Sequence, residues 1–594
     1  MSSNLLTEWA RLLLASLAQS GVSDVIISPG SRSTPFVMAA TRTLGLRCHD
    51  CLDERSAGFM ALGQTRVTGM PSVVIATSGS AGAHYLPAVV EAGAAHLPLI
   101  VLTADRPFEL QECGAAQTID QVKMFGSSVR QFFELGLPDG SDLALRAVRR
   151  IAAQAVFTSR WPIPGAVHIN ARARKPLEPY PAAAPEEIKL RSRVDRLIAL
   201  SAIAAPRPVT APAPSLIRSV AESLTMQPKG VIACGSLPVG DTDQANAIEA
   251  LARRTGYPLL VEASSQLRFR AGVGERAVTC DLFDAFLSAR SFREKACPQV
   301  VVQIGGPLVA SSWEQFLEEH TEADVVTLAP HSWCDPQNRV SHLVVGDLAE
   351  SLASLNAALY RCDTADLSWA KQFVAANCIT RRVIDRDLAD AAYLTEGIVA
   401  RTTVGQVPRG SFLFLGNSLP IRLVDWFCPA ASLDIRVLCQ RGANGIDGNV
   451  AGVLGAASVG GCPVTALIGD VTFLHDLSSL ARIGASEWDT SLAIVVIQNF
   501  GGRIFERLPL ANIASASDLA HFITPHEFEL RHAAALYGHR FRQVRTASEL
   551  AGAITESHRS PGCTVIEAIV RPQDIAERLE QIWQTVATEL EAGL

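Results

Sequence analysis

The stretch Val464–Asn499, VTALIGDVTFLHDLSSLARIGASEWDTSLAIVVIQN, decides the fold. Its two ends, VTALI and LAIVVI, are almost wholly apolar, as expected of strands buried on both faces in a parallel sheet. The first ends in Gly469-Asp470. The second ends in Gln498-Asn499 and runs into Phe500-Gly501-Gly502, with Asn499 29 residues after Asp470. One helix, His475–Ile483, is expected between them. In a doubly wound sheet both strand ends then lie at the carboxyl edge, where ligands bind. A carboxylate, an amide oxygen and a backbone carbonyl near Gly501 suit hard Mg²⁺, which keeps waters and completes its shell with substrate phosphates. The glycines let the backbone approach a diphosphate, and helix N-termini supply N–H donors. Taken alone, a turn Asp and an unrelated strand-end Asn would read the same way.

The same alternation extends in both directions. Upstream, a helix Leu5–Gln19 precedes strand DVIIS (Asp24–Ser28). SVVIAT (Ser72–Thr77), a small-residue helix over Ala81–Ala94, PLIVLTAD (Pro98–Asp105) and AVHIN near Ala166 follow. Two Pro/Ala-rich stretches, Lys175–Glu187 and Ala205–Ser215, read as surface linkers, because proline fixes φ and removes a donor. Beyond them come GVIACGS, PLLVEAS, QVVVQIGG, DVVTLAP and HLVVGD, between Gly230 and Asp347. A third series starts with helix Leu394–Thr403 and strand SFLFLGNS (Ser411–Ser418). The 594 residues thus divide into three α/β doubly wound parallel-sheet domains, over 1–180, 190–375 and 385–594.

Composition removes other classes. Lys and Arg number 52 against 59 Asp and Glu, a net charge of −7, which argues against nucleic acid as a partner. Mean hydropathy is +0.20, yet the longest uncharged run, Val450–Gly469, is broken by glycines and Pro463 into a helix and a strand. No membrane span is expected. The N-terminus lacks a basic n-region and carries Glu8 in its apolar run, so it reads as an amphipathic helix and the compartment as cytoplasmic. The 13 cysteines show no framework spacing. Cys48 and Cys51, the one CxxC, lack a second ligand pair and read as buried thiols.

The Gly-Asp pair, spacer and Asn resemble the thiamine diphosphate motif. Enzymes of that superfamily use a carboxylate against the cofactor's aminopyrimidine, supplied by the pyrimidine-binding domain of the opposite subunit. Glu54, in CLDERSAGFMALG, follows a short strand and opens a small-residue helix. The resemblance makes it that carboxylate, although a lone Glu there would ordinarily only complement the helix dipole.

Eight stretches narrow the resemblance. SPGSRSTP (Ser28–Pro35), DERSAGF (Asp53–Phe59), TSGSAGAHYLPAVVEA (Thr77–Ala92), LTADRP (Leu102–Pro107), GAAQTIDQ (Gly114–Gln121), GNSLPIR (Gly416–Arg422), RGANGIDG (Arg441–Gly448) and GGRIFERLP (Gly501–Pro509) lie in that order. Together they resemble the 2-succinyl-5-enolpyruvyl-6-hydroxy-3-cyclohexene-1-carboxylate synthase family of menaquinone biosynthesis. That resemblance implies pyrimidine-binding, central and diphosphate-binding domains. It implies thiamine diphosphate with Mg²⁺, or Mn²⁺ in its stead, and 2-oxoglutarate and isochorismate as substrates. It also implies a homodimer or tetramer with sites at the subunit interface. Arg32, Arg106 and Gln117 then sit with Glu54 toward isochorismate, and Ser418, Arg422 and Arg441 toward the 2-oxoglutarate part. Ser31, Gly79, Ile446, Gly469, Ile504 and Phe505 line the cofactor. Asp470, Asn499 and Gly501 hold the metal. Polyanionic substrates call for guanidinium forks. An acetolactate-synthase-like decarboxylase is the alternative, and a small monoanionic substrate would not need that arginine set. A flavin in the central domain stays open.

The chain departs from the family in three places. Ser80 and His84 replace a usual Thr and Asn. After Gly305-Gly306, where basic residues often stand, it has Ser311 and Ser312. Arg268 or Arg270 would be the substitute cation, or isochorismate is held less tightly. Ala171–Leu177 carries two Arg and one Lys with no evident role, a solvated edge or an anion site.

Overall fold

Strand content follows from the apolar runs, and helices fill the gaps between them. The computed structural model describes residues 4–240, 242–272, 279–359, 367–482 and 490–593. Among these, the first parallel sheet comprises β1 (Asp24–Ile27), β2 (Arg47–Asp50), β3 (Ser72–Ala76), β4 (Leu99–Asp105), β5 (Gln131–Glu134) and β6 (Ala166–Arg172). The second comprises β7 (Gly230–Cys234), β8 (Leu259–Val261), β9 (Thr279–Cys280), β10 (Val300–Ile304), β11 (Asp324–Ala329) and β12 (His342–Val345). The third comprises β13 (Phe412–Leu415), β14 (Arg436–Cys439), β15 (Val464–Gly469), β16 (Ser491–Gln498), β17 (Arg540–Val544) and β18 (Gly562–Ile569).

The orders are β2-β1-β3-β4-β6-β5, β12-β11-β10-β7-β8-β9 and β14-β13-β15-β16-β18-β17. The first and third sheets therefore repeat one topology. Each reverses direction between its first and third strands, β1/β3 and β13/β15. The central sheet, counted from β9, runs 3-2-1-4-5-6, the order of dinucleotide-binding folds. Every pair is parallel; β15 and β16, for example, align Val464 with Leu492 and Gly469 with Ile497.

The chain forms two compact units. One is Met1–Pro208 with Gln440–Gly461 and His475–Trp488; the other is Val209–Cys439 with Cys462–Leu474 and Asp489–Leu594. In the first, the opening helix Asn4–Gln19 buries Leu12, Leu13 and Leu17 against Val25, Val73 and Ile100. Helix Pro185–Ala199, between the Pro/Ala-rich stretches, adds Leu190 and Val194 to that core. In the second, the central and third sheets share one core, in which Phe286, Trp313 and Phe373 meet Leu415, Leu423 and Phe427.

Helices Glu54–Thr68 and Asn449–Gly460 pack together inside the first unit at backbone distance. A Cβ on Gly63 would lie 2.1 Å from the Gly452 carbonyl oxygen, and one on Gly455 2.0 Å from that of Met60. Only a residue without a side chain allows this crossing.

Two elements differ from expectation. The helix expected over Ala81–Ala94 is split into Ser80–Ala83 and Leu86–Ala94. Pro87 sits in the first turn of the second piece, where its missing N–H costs nothing and where it could not continue an earlier helix. The helix expected at His475–Ile483 is a short helix Asp470–His475 and a 3₁₀ segment Leu477–Arg482; Ile483 lies outside the described residues. Asp476 interrupts it, since its carboxylate accepts from Ala451 N at 2.8 Å and from Ser479 Oγ at 2.5 Å. Among the described residues, no helix is long and apolar enough to cross a membrane, and no cysteine forms a disulfide.

Gly455→Ala is expected to destabilise the protein by about 1–3 kcal/mol through overpacking. Chemical denaturation reads this as a lower midpoint, and an unchanged midpoint would refute the backbone-contact account.

Candidate active site

Polar side chains gather at the carboxyl ends of the strands that flank the two reversals, as the chain-crossing rule for open sheets requires. In the first unit, β1 runs into Ser31 and Arg32, and β3 into Thr77–Gly79. The two loops interlock. Arg32 N–H donates to Thr77 Oγ1 at 3.1 Å, and a Cβ on Gly30 would strike Thr77 Cβ at 2.2 Å. Arg32 is 3% exposed. Its Nη1 donates to the Ala173 carbonyl at 2.6 Å, while its Nε has no hydrogen-bond partner among the described residues. Ser31 is exposed.

Gly79 adopts φ +91° and donates its N–H to Gln121 Oε1 at 3.0 Å. Gln121 Nε2 reaches Asn170 Oδ1 at 3.2 Å, and Asn170 Nδ2 donates to Asp105 Oδ2 at 3.0 Å and Glu134 Oε2 at 2.9 Å. Asp105 Oδ1 accepts from Arg106 N at 2.7 Å. This buried relay fixes the Gly79 loop and Arg106 together. Arg106 Nε is likewise buried without a partner. Gln117 is exposed, has φ +51°, and its backbone lies 3.5 Å from a Cβ built on Gly79. His84 is exposed and ends the short helix Ser80–Ala83.

Glu54 is the first residue of its helix, partly buried, behind the N-cap Asp53, whose carboxylate accepts from Arg55 N. Arg441 and Ile446 stand on a loop held by Glu91. That buried carboxylate accepts from Gly442 N at 3.1 Å and Ala443 N at 2.7 Å, and pairs with Arg66 at 2.7 Å. The first unit thus brings Ser31, Arg32, Gly79, Arg106 and Gln117 to one carboxyl edge, and attaches the Arg441–Gly448 loop through Glu91.

In the second unit, β13 runs into Ser418, the N-terminal flank of helix Leu419–Phe427, with φ +71°. Arg422 Nη1 donates to the Ser418 carbonyl at 2.7 Å. β15 ends at Gly469 and Asp470. Asp470 is 2% exposed, and its Oδ2 accepts from Gly501 N at 3.0 Å, so the Asn499–Gly501 turn closes on it. His526 Nε2 lies 3.3 Å from the same oxygen. Asn499 Nδ2 donates to Glu396 Oε1 at 2.7 Å, leaving Asn499 Oδ1 buried with no hydrogen-bond partner among the described residues. Burial drives the Glu396 carboxyl up to about 8. Gly501 has φ +141°, and a Cβ there would meet the Ile523 carbonyl oxygen at 2.6 Å. Its own carbonyl accepts from Arg503 N at 2.9 Å and keeps a second lone pair. Ile504 packs against the shared core, and Phe505 lies 5.7 Å from the Phe522 ring.

A buried, unpaired amide oxygen beside a buried carboxylate fits a hard cation. Asp470, Asn499 and the Gly501 carbonyl are the groups here that could hold such a cation. Among the described residues, no group of three or more His, Cys, Asp or Glu could hold a metal ion.

The expected substitute cations are otherwise engaged. Arg268 is fully buried and donates to Asp425 Oδ1 at 2.9 Å and to the carbonyls of Asp425 and Cys428 at 2.9 and 2.6 Å. Arg270 bonds Asn246 and Glu249. Both are structural, because QLRFRAG runs along helix Leu419–Phe427 rather than toward a strand end. In the basic Ala171–Leu177 segment, Arg172 pairs with Asp105 and Glu134, each at 3.1 Å, and Arg174 with Glu109 at 2.7 Å.

Residues 7–124 match the family described as the thiamine pyrophosphate enzyme N-terminal TPP binding domain, and residues 212–415 the middle domain of thiamine pyrophosphate enzymes. Relatives match at full length. The 2-succinyl-5-enolpyruvyl-6-hydroxy-3-cyclohexene-1-carboxylate synthase of Sorangium cellulosum is 43% identical over 99% of this chain and 97% of its own length. The chain belongs to this synthase family. The synthases of Myxococcus xanthus and Geobacillus kaustophilus are 38% and 36% identical, over 99% and 98% of both partners.

Four residues escaped sequence reading: Glu91, Gln121, Glu396 and His526. None stands at a strand end by pattern. Glu91 and Gln121 lie inside quoted motifs, and a charged residue in the apolar face AVVEA was the available signal for Glu91.

Glu91→Ala is expected to cost about 3–5 kcal/mol of stability, since it strands Arg66 and two loop amides. It should also raise protease cleavage within Arg441–Gly448. Wild-type unfolding and cleavage patterns would refute the anchoring role.

Proposed function

We propose that this enzyme decarboxylates 2-oxoglutarate and adds the resulting four-carbon unit to isochorismate. The product is 2-succinyl-5-enolpyruvyl-6-hydroxy-3-cyclohexene-1-carboxylate, with CO₂ released, in menaquinone biosynthesis. The observation that carries this reading is the pair Arg32 and Arg106, whose buried Nε atoms lack hydrogen-bond partners among the described residues. Desolvated, unsatisfied donors are costly unless a ligand completes them, and both substrates are carboxylates.

When bound, thiamine diphosphate would supply the electron sink that decarboxylation of a 2-oxo acid needs. Glu54 holds a proton against the cofactor's aminopyrimidine nitrogen. Asp470, Asn499 and Gly501 bind Mg²⁺, with Mn²⁺ the substitute, and Gly469 leaves room for the diphosphate. Ser31, Gly79, Ile446, Ile504 and Phe505 line the cofactor and exclude water. Ser418, Arg422 and Arg441 orient 2-oxoglutarate; Arg32, Arg106 and Gln117 orient isochorismate. The proposal assigns residues 1–180, 190–375 and 385–594 to pyrimidine-binding, central and diphosphate-binding domains. It pairs Glu54 of one subunit with the diphosphate site of another in a homodimer or a tetramer. Free thiols suit a reducing cytoplasm.

Protein with Mg²⁺, thiamine diphosphate, 2-oxoglutarate and isochorismate should consume isochorismate, followed by absorbance. Turnover of pyruvate without isochorismate consumption would instead favour an acetolactate-synthase-like enzyme. Glu54→Gln is expected to lower turnover about 10²–10⁴-fold while keeping the fold; an unchanged rate would sink its role.

A further inference from the structure

Ser311 and Ser312 offer no cation where the central domain meets the third sheet's helix, yet the surrounding residues lead to one. Ser312 N and Oγ both donate to Asp284 Oδ1, at 3.1 and 2.5 Å. Asp284 Oδ2 accepts from Trp426 Nε1 at 2.6 Å. The Arg507 guanidinium lies 4.3 Å from the Trp426 ring centroid, a cation–π stack. Trp426 is one helical turn beyond Arg422, so both share a face of helix Leu419–Phe427.

Arg507 makes no hydrogen bond or ion pair through its guanidinium among the described residues. Burial and the nearby Arg422 charge pull it down to about 10, against the pull of Asp284 and Glu396. The acids nearby are already committed. Asp284 serves Ser312 and Trp426. Asp425 takes Arg268 at 2.9 Å and Ala263 N at 2.7 Å. Glu396 takes Asn499. Arg507 is half-buried and the carboxylates near it are already engaged, so it carries a positive charge that an added carboxylate would neutralise.

We propose that Arg507 is a substrate-binding residue that, with Arg422, grips the distal carboxylate of 2-oxoglutarate. This assignment rests on the function proposed above. The indole face of Trp426 sets the plane of the fork, and Asp284, fixed by Ser312, sets the plane of the indole. Arg507 therefore selects a dicarboxylate over a monocarboxylate of equal length.

The test compares kcat and KM of the holoenzyme for 2-oxoglutarate and for 2-oxopentanoate, which lacks the distal carboxylate, at saturating isochorismate. Arg507→Gln should raise KM for 2-oxoglutarate about tenfold or more, the loss of one charge-assisted hydrogen bond. It should leave 2-oxopentanoate and thiamine diphosphate affinity unchanged, so that the preference between the two acids collapses. Arg507→Lys, which keeps the charge but not the fork, should recover part of that preference and guards against misfolding of the first variant. An unchanged KM for 2-oxoglutarate, an equal rise for both acids, or a defect confined to isochorismate overturns the assignment. Wild-type protein inert toward 2-oxoglutarate overturns the proposed function and this assignment together.

Discussion

Backbone contact between helices Glu54–Thr68 and Asn449–Gly460 is the constraint on which the first unit depends. Gly63 and Gly455 each meet a carbonyl oxygen of the opposite helix, so the two backbones are in direct contact. That closeness draws a segment nearly four hundred positions away in sequence onto the first sheet. It fixes where Glu54 begins its helix and where the Arg441–Gly448 loop leaves the other. Gly448, with φ +65°, repeats the demand, since a Cβ there would overlap the Phe59 ring at 1.9 Å. Glu91 then pins the loop by its amides and Arg66. Apolar burial alone could not set this register, because it is non-directional.

The repeated strand order of the first and third sheets explains why functional candidates fall into two matched sets. In each sheet the chain reverses direction beside its first strand, and the loops leaving that strand and its neighbour diverge. A crevice opens there without any residue being removed from the core. Arg32 and Gly79 flank one crevice, Ser418 and Asp470 the other. The central sheet has its own reversal between β7 and β10, but Gly235 packs so closely there that a Cβ would lie 2.1 Å from the Gly306 carbonyl oxygen.

Much of this was legible because parallel strands buried on both faces carry an uninterrupted apolar signal. VTALI and LAIVVI became adjacent strands with the Asp and Asn at one edge, as their pattern required. Glu54 could be read as a helix start from the short strand before it and the small-residue run after it, and Asp53 caps that helix. What failed to show were side chains acting across long sequence separations. Arg268 looked like a free cation within QLRFRAG, but its partners lie some 160 positions later. The helix expected at His475–Ile483 was broken by Asp476, whose partner Ala451 comes from another element. Glu396 gave no signal, since its role depends on meeting Asn499.

Backbone strain also falls at some of the candidate residues. Gln117, Ser418, Asn444 and Phe500 are non-glycine residues with positive φ, and all lie in or beside the motifs that carry candidate functional groups. Such conformations cost about 1–3 kcal/mol each and persist only where surrounding structure over-determines them. At Ser418 the strain turns the chain from β13 into its helix so that Arg422 can reach back to the Ser418 carbonyl. At Phe500 it turns the chain after Asn499 so that Gly501 N–H meets Asp470. The stability that tolerates these conformations comes from the continuous cores beneath, where Leu467, Val495 and Ile566 are fully buried. Rigid apolar strands and strained polar loops are therefore two halves of one arrangement. The strands hold still so that the loops can present unsatisfied donors and acceptors at a fixed edge.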